Sequence, residues 1–379
     1  MKITNVETFV LSNKLQESFF FSQWEYSERR ICIVKITTDE GVSGWGEGYG
    51  PADVIQAGIK LITPLLIGKN PLEQETLWVD MYRKTLDYAR RGVLAASISA
   101  IDVALWDIKG KALNLPVSVL MGGQHRLQVV PYATGMYFSK SDQLAEDLAQ
   151  EARKYAEEGF KAIKMKVGFS IKADLEHVKA VRRAIGSDVK LMVDANHAYS
   201  LREAAELARK IEPYDISWFE EPVSPEFYHQ YRDLRSKTSI PIAGGECEYL
   251  RYGFQQLLQN DSIDILQVDI CGAGGLTEAK RIATLASTRG IEIIPHVWGT
   301  GIAFHAALHF IANLEPVPGR YHAPEFYIEY DRTENAIRES LTFPAIEMKD
   351  GLIDIPQGPG LGIEVNEDVV RSFSTEIFV

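Results

Sequence analysis

The chain reads as an α/β protein: a (β/α)8 TIM-like barrel with an N-terminal α+β capping domain that the C-terminal segment completes. Three observations carry this reading. From about Val129 onward short apolar runs alternate with amphipathic helical stretches, eight such runs can be counted, and nearly every one ends on an ionisable residue. Eight parallel strands joined by helices close into a barrel, and side chains at the strand C-terminal ends converge on one mouth. A doubly wound open sheet is the competing architecture, and the count of eight together with the placement of the polar residues favours the barrel.

The elements follow in order. Residues 31–37 (ICIVKIT) alternate toward a turn at Asp39, Glu40 and Gly41, and residues 42–47 (VSGWGE) resume an extended run, which predicts a hairpin. Leu94, Ile98, Ile101, Leu105 and Ile108 stand at helical spacing between Gly92 and the Leu115-Pro116 stop, so residues 1–125 are expected to form the capping domain. The barrel is expected over 126–341, with strands in the runs VVPYATG, KAIKMKV, KLMVDAN, ISWFEE, IPIAGGE, DILQVD, IEIIPHV and EFYIEY, and helices such as 176–185, 201–211 and 275–287 between them. Residues 342–379 read as a return segment that packs on the capping domain. Its PQGPGLG lacks the Lys-Ser/Thr of a phosphate loop and is a run of turns.

Bulk properties narrow the function. A formal charge of −12 opposes nucleic acid or an anionic membrane surface as partner, while a small anionic substrate remains open if a cation neutralises the site. Three cysteines without a CxxC pair suggest neither a disulfide framework nor a zinc ribbon. No apolar run approaches the roughly 20 residues that cross a bilayer, and the opening MKITNVETFV has no signal-peptide pattern, so a cytoplasmic setting is expected.

The chemistry sits at the strand ends. Asp194, Glu220 and Glu246 are spaced 26 residues apart, the same point of consecutive βα units. Any one of them alone would be read as a helix cap or a surface ion pair. Three in register would repel one another unless a hard divalent cation joined them, and an all-oxygen set suits Mg2+, or Mn2+ in its place, better than Zn2+. Lys164 and Lys166 alternate about Met165 and so face the same way, where each is expected to depress the other's pKa and give a neutral lysine base. Across the mouth, Asp269 and His296 lie on neighbouring strand ends as an oriented imidazole. Two bases flanking a metal suit removal of a proton α to a carboxylate, with the metal stabilising the enediolate. Glu329 is expected to be protonated and to donate a hydrogen bond to it; pairing with Arg332 or Arg338 is the bland alternative.

The motifs KMK (164–166), VDAN (193–196), FEEP (219–222), GGE (244–246), QVD with GAGG (267–275), PHVWGTG (295–301) and IEYD (328–331) together resemble the enolase superfamily, in its mandelate racemase subgroup (the mandelate racemase/muconate lactonizing enzyme family). The likeness covers essentially the whole chain. It implies Mg2+ ligation by Asp194, Glu220 and Glu246, acid/base roles for Lys166 and the His296/Asp269 pair, assistance from Lys164, and a hydrogen bond from Glu329. Glu221 is not carried over as a ligand. Substrate contacts are expected from Asn196, His197, Trp298 and, on two capping loops, Trp24 and Tyr49, near Phe19, Phe20, Phe21 and Gln23. Within the subgroup YATG, DANH and FEEPVSPE look most like acid-sugar dehydratases and galactarolactone cycloisomerases. This implies β-elimination from an acid sugar or its lactone to a 2-keto-3-deoxy product in carbohydrate catabolism, by a homo-oligomer. Val268 replaces the subgroup's usual proline before the dyad aspartate. Racemisation or epimerisation by the same two bases is the second reading, and a non-catalytic carboxylate-binding protein that keeps the metal is the third.

Overall fold

A computed structural model describes residues 1–316, 319 and 325–378. The chain opens with a meander of three antiparallel strands, β1 (Ile3–Phe21), β2 (Trp24–Thr38) and β3 (Ser43–Gly48), and the helix Val93–Leu113 lies across it. That helix buries Ala100, Ala104 and Ile108 against β3, where Gly44 and Gly46 leave no room for a side chain: a Cβ on Gly46 would stand 1.9 Å from the Ala100 carbonyl oxygen. The glycines of SGWGEG are therefore a packing requirement as well as part of a strand.

Eight parallel strands follow: β4 (Gln128–Thr134), β5 (Ala162–Lys166), β6 (Lys190–Asp194), β7 (Ile216–Glu220), β8 (Ile242–Gly244), β9 (Ile265–Leu266), β10 (Glu292–Ile293) and β11 (Tyr327–Asp331). They pair in chain order from β4 to β10, and β11 returns to pair with β4 from Tyr327↔Val130 to Asp331↔Thr134. At the remaining seam the Val297 N–H donates to the Glu329 carboxylate at 3.0 Å. The architecture is the capped barrel expected from the sequence. Strands β9 and β10 are shorter than the runs DILQVD and IEIIPHV suggested, because past Leu266 and Ile293 the backbone leaves the ladder while still carrying Asp269 and His296 to the mouth.

Period-two alternation explains what fills the barrel. Val130, Tyr132, Ala162, Met192, Trp218, Ala243, Ile265, Ile294 and Tyr327 form one apolar cluster inside it. Moving one pleat toward the C-terminal end of each strand gives Thr134, Lys164, Asp194, Glu220, Gln267, His296 and Glu329, all buried. A greasy floor thus carries a polar layer. The helices Leu201–Ile211 and Gly275–Ser287 have the bounds expected, and the first is closed by a capping box between Ser200 and Glu203.

The return segment meets both parts. Ile353–Asp354 pairs with β4, Ser374–Phe378 adds antiparallel to β1, and Leu361 N–H donates to Asp107 on the long helix at 3.0 Å. Among the described residues no helix is long and apolar enough to cross a membrane.

Candidate active site

The polar layer brings Asp194, Glu220 and Glu246 together, with one carboxylate oxygen of each within 4.8 Å of the others. Asp194 and Glu220 end β6 and β7 and point inward by alternation. Glu246 does not follow the parity of β8: Ala243 faces the interior, so 245 would be next. Gly245 takes φ +129, where a Cβ would press on Gln267 and Phe254, and this turn swings residue 246 into the mouth instead.

Lys164 and Lys166 stand beside the cluster, fully enclosed. Lys164 Nζ lies 2.6 Å from Glu220, 2.9 Å from Glu329 and 3.6 Å from Asp194. Lys166 Nζ donates to Asp194 at 2.5 Å and to Asn196 Oδ1 at 2.8 Å. On the other side His296 Nδ1 meets Asp269 at 2.7 Å, and its Nε2 faces Glu246 at 3.5 Å. Asp269 is itself held by the Gly272 N–H at 2.8 Å, so the imidazole's orientation is set from behind.

Electrostatics correct two expectations. Burial lowers the Lys166 pKa, but Asp194 and its neighbours outweigh burial, and the net shift is upward; Lys164 is raised further by Glu220 and Glu329. The two lysines do repel, yet the pull of Asp194 on Lys166 exceeds the push of Lys164, and Glu220 and Glu329 hold Lys164 charged. Glu329 is not protonated either. Burial pushes it up, but Lys164 and His296, with hydrogen bonds from Thr134 and Val297, bring it down to about 2. It accepts hydrogen bonds here and donates none. The bland alternative also fails, since Arg338 pairs with Asp331 at 2.8 Å and Arg332 with Glu158 at 3.2 Å.

Burial drives Glu220 up to about 7 and Glu246 up to about 8, the latter despite His296. His296 is in turn carried up to about 10, because Glu246, the Asp269 hydrogen bond and Glu329 overcome the burial that would lower it. Asp194 and Glu220 share two lysines that Glu329 also claims, and Glu246 has only His296, at 3.5 Å, to offset its charge. An all-oxygen set short of positive charge fits a hard divalent cation.

A cavity of about 660 Å3 opens above the cluster, between the barrel and the capping strands. Trp24, Tyr49, Asn196, His197 and Trp298 all line it. The Phe19–Trp24 stretch is the tip of the β1–β2 hairpin, not a loop; Phe21 and Trp24 reach the cavity, whereas Phe19 packs on Tyr26 and Tyr137 and Phe20 pairs its backbone with Phe138. Tyr49 sits 5.0 Å from the His296 ring. Among the lining residues that went unnoticed in the sequence are Tyr26, Arg29 and Tyr137. Arg29 is 4% exposed, bonds Asp331 at 3.0 Å and stacks over Trp298 at 4.2 Å, clamping the hairpin to the barrel mouth. The adjacent Arg29-Arg30 pair on an alternating strand was the available signal, but its partner lies 302 residues away.

An eight-stranded barrel whose strand ends gather three carboxylates between a lysine pair and an Asp–His pair, under a capping domain, is the architecture of the enolase superfamily. Residues 147–369 match the enolase C-terminal domain-like family, and residues 5–122 match the mandelate racemase / muconate lactonizing enzyme N-terminal domain. The chain belongs to the mandelate racemase/muconate lactonizing enzyme family and is an enzyme of that superfamily's isomerase and lyase branch. It is 42% identical over 373 residues to the D-galactarolactone cycloisomerase of Agrobacterium fabrum, covering 98% of this chain and 99% of that one. It is 37% identical over 347 residues to the arabinonate dehydratase of Saccharolobus solfataricus, covering 90% of each. A solved structure, the 3,6-anhydro-D-galactonate cycloisomerase from Zobellia galactanivorans, superposes with a TM-score of 0.91 at 53% identity, covering 99% of this chain and 100% of that chain.

Proposed function

We propose that the chain is a Mg2+-dependent cycloisomerase of a cyclic acid sugar, a lactone or an anhydro ring, that removes the proton α to the substrate carboxylate and expels a β-oxygen to give a 2-keto-3-deoxy acid. The observation that carries this reading is the convergence of Asp194, Glu220 and Glu246 between Lys166 and the His296–Asp269 pair. Mg2+, or Mn2+ in its place, held by those three carboxylates would supply electrostatic stabilisation of the charge that develops on the substrate carboxylate.

This chain's own residues do the rest. Lys166 and His296 stand on two sides of the cluster, so one can take the α-proton while the other delivers a proton to the departing ring oxygen. Lys166 and His296 owe their raised pKa values largely to Asp194 and Glu246, and a cation held by those carboxylates would weaken that influence and bring a neutral base within reach. Lys164 holds Glu220 and Glu329 in place and adds positive charge to the site. Asn196 keeps Lys166 oriented through the 2.8 Å bond. The aromatic roof of Tyr26, Tyr49, Tyr137 and Trp298 excludes water from a ring-sized substrate. The cycloisomerase names of two relatives, each matched over nearly the whole chain, favour ring opening over dehydration of an open-chain acid.

The test is to incubate the protein and Mg2+ with D-galactarolactone, 3,6-anhydro-D-galactonate and open-chain hexonates in deuterated water. Appearance of a 2-keto-3-deoxy acid from a cyclic substrate is expected. A stereoisomer with solvent deuterium at the α-carbon and no ring opening would instead establish epimerisation, and an inert panel would remove the proposal.

A further inference from the structure

Beside the all-carboxylate cluster lies a second convergence of ligating side chains. His197, Glu221 and Cys247 each bring one ligand atom within 4.8 Å of the other two. His197 follows the DAN turn, Glu221 follows Glu220, and Cys247 follows Glu246, so the three ride on the turns that end β6, β7 and β8. Glu221 is 1% exposed, and its Oε2 lies 2.9 Å from His197 Nδ1, an ion pair whose two atoms are shut off from water. The backbone holds this geometry in the left-handed region at both residues, φ 61 at His197 and φ 38 at Glu221, which non-glycine residues seldom adopt. His197 and Cys247 also line the cavity, so a ligand seated between the three would keep a face toward it.

We infer that His197, Glu221 and Cys247 form a second cation site, suited to a thiophilic divalent ion such as Zn2+ and distinct in chemistry from the neighbouring all-oxygen cluster. Nitrogen, oxygen and sulfur ligands in one set of three, with a fourth position open to the cavity, match the preference of Zn2+ and disfavour Mg2+. Charge balances: on coordination the Cys247 thiol and His197 Nδ1 each give up a proton to water, and thiolate plus carboxylate offset the two positive charges of the ion. The other two cysteines cannot substitute, since Cys32 and Cys271 are buried and stand in no such group among the described residues. The inference does not depend on the reaction proposed above, because its test reads no turnover.

The full-length, reduced protein is titrated with Cd2+ in saturating Mg2+, and thiolate-to-cadmium charge-transfer absorption is recorded. One equivalent should develop the band. Cys247→Ser should lose at least nine-tenths of it, Cys32→Ser should keep it, and His197→Asn should weaken the Cd2+ affinity tenfold or more. No saturable band in the wild type, or an undiminished band in Cys247→Ser, would overturn the site. Should Cys247→Ser fail to fold, cadmium NMR of the wild type decides: a resonance displaced toward sulfur ligation supports the site, and a lone all-oxygen resonance rejects it.

Discussion

Two regions of this molecule bury carboxylates equally well and put them to opposite uses. At the seam between capping domain and barrel, Asp102 and Glu47 are fully enclosed, and burial lifts each to about 7. Every acceptor there has a donor: Asp102 takes the Thr277 N–H at 2.9 Å and its hydroxyl at 2.6 Å, while Glu47 takes the Thr300 N–H at 3.0 Å and the Ala303 N–H at 3.3 Å. Both acids thereby cap barrel helices, Gly275–Ser287 and Gly301–Asn313, from outside the helix. At the mouth, Asp194, Glu220 and Glu246 face one another, the first two sharing lysines and the third facing His296. Burial alone does not distinguish a structural acid from a ligand; the identity of what it faces does.

That contrast can be broken most severely at the mouth. Glu246→Gln, which keeps shape and removes charge, should lower kcat by about 1,000-fold or more if several kcal/mol of charge stabilisation run through the cluster. Its thermal midpoint in chelator should hold or rise, because one crowded anion has gone. Steady-state kinetics beside calorimetry check both halves, and activity within tenfold of wild type would refute the contrast. Next in size, Lys166→Ala and His296→Asn should each slow turnover by about 100- to 10,000-fold. Unlike the ligand variant, they should retain a Mg2+-dependent rise in thermal midpoint.

At the seam the effects move from rate to stability. Asp102→Ala strands the Thr277 N–H and hydroxyl and should cost about 1–3 kcal/mol by denaturant unfolding, with the Mg2+ response intact. An unchanged stability together with a lost metal response would place Asp102 in the wrong region. The smallest effect near neutral pH comes from the helix that Glu47 caps. His305 and His309 are buried in it, and burial lowers both to about 4, below the ordinary 6.5. Their contribution is fully present above pH 6.5 and is lost as pH falls through 4, with an upper bound of roughly 3 kcal/mol each. Unfolding free energies between pH 7.5 and 4.5 should show this slope, and His309→Gln should reduce it by about one proton.

Much of the site was legible because strand alternation and unit length are local rules. Asp194, Glu220, Lys164 and Lys166 obey the pleat, so their shared direction follows from neighbouring residues alone. Glu246 was located by its spacing of 26 for an incomplete reason, since it reaches the mouth through the positive φ of Gly245 rather than through strand parity. Protonation states were not legible. Counting two adjacent lysines suggested a depressed pKa, whereas the carboxylates that decide it arrive from β6, β7 and β11. Arg29 and Tyr26 were missed for the same reason, because a hairpin near the N-terminus meets β11 only after the barrel has closed.

Calorimetric titration of Mg2+ into chelator-treated protein tests the central claim most directly. The wild type should bind at a single site, and Glu220→Gln should lose that binding while remaining folded. A wild type that takes up no ion, or a variant that titrates as the wild type does, would contradict a cation held by these three carboxylates.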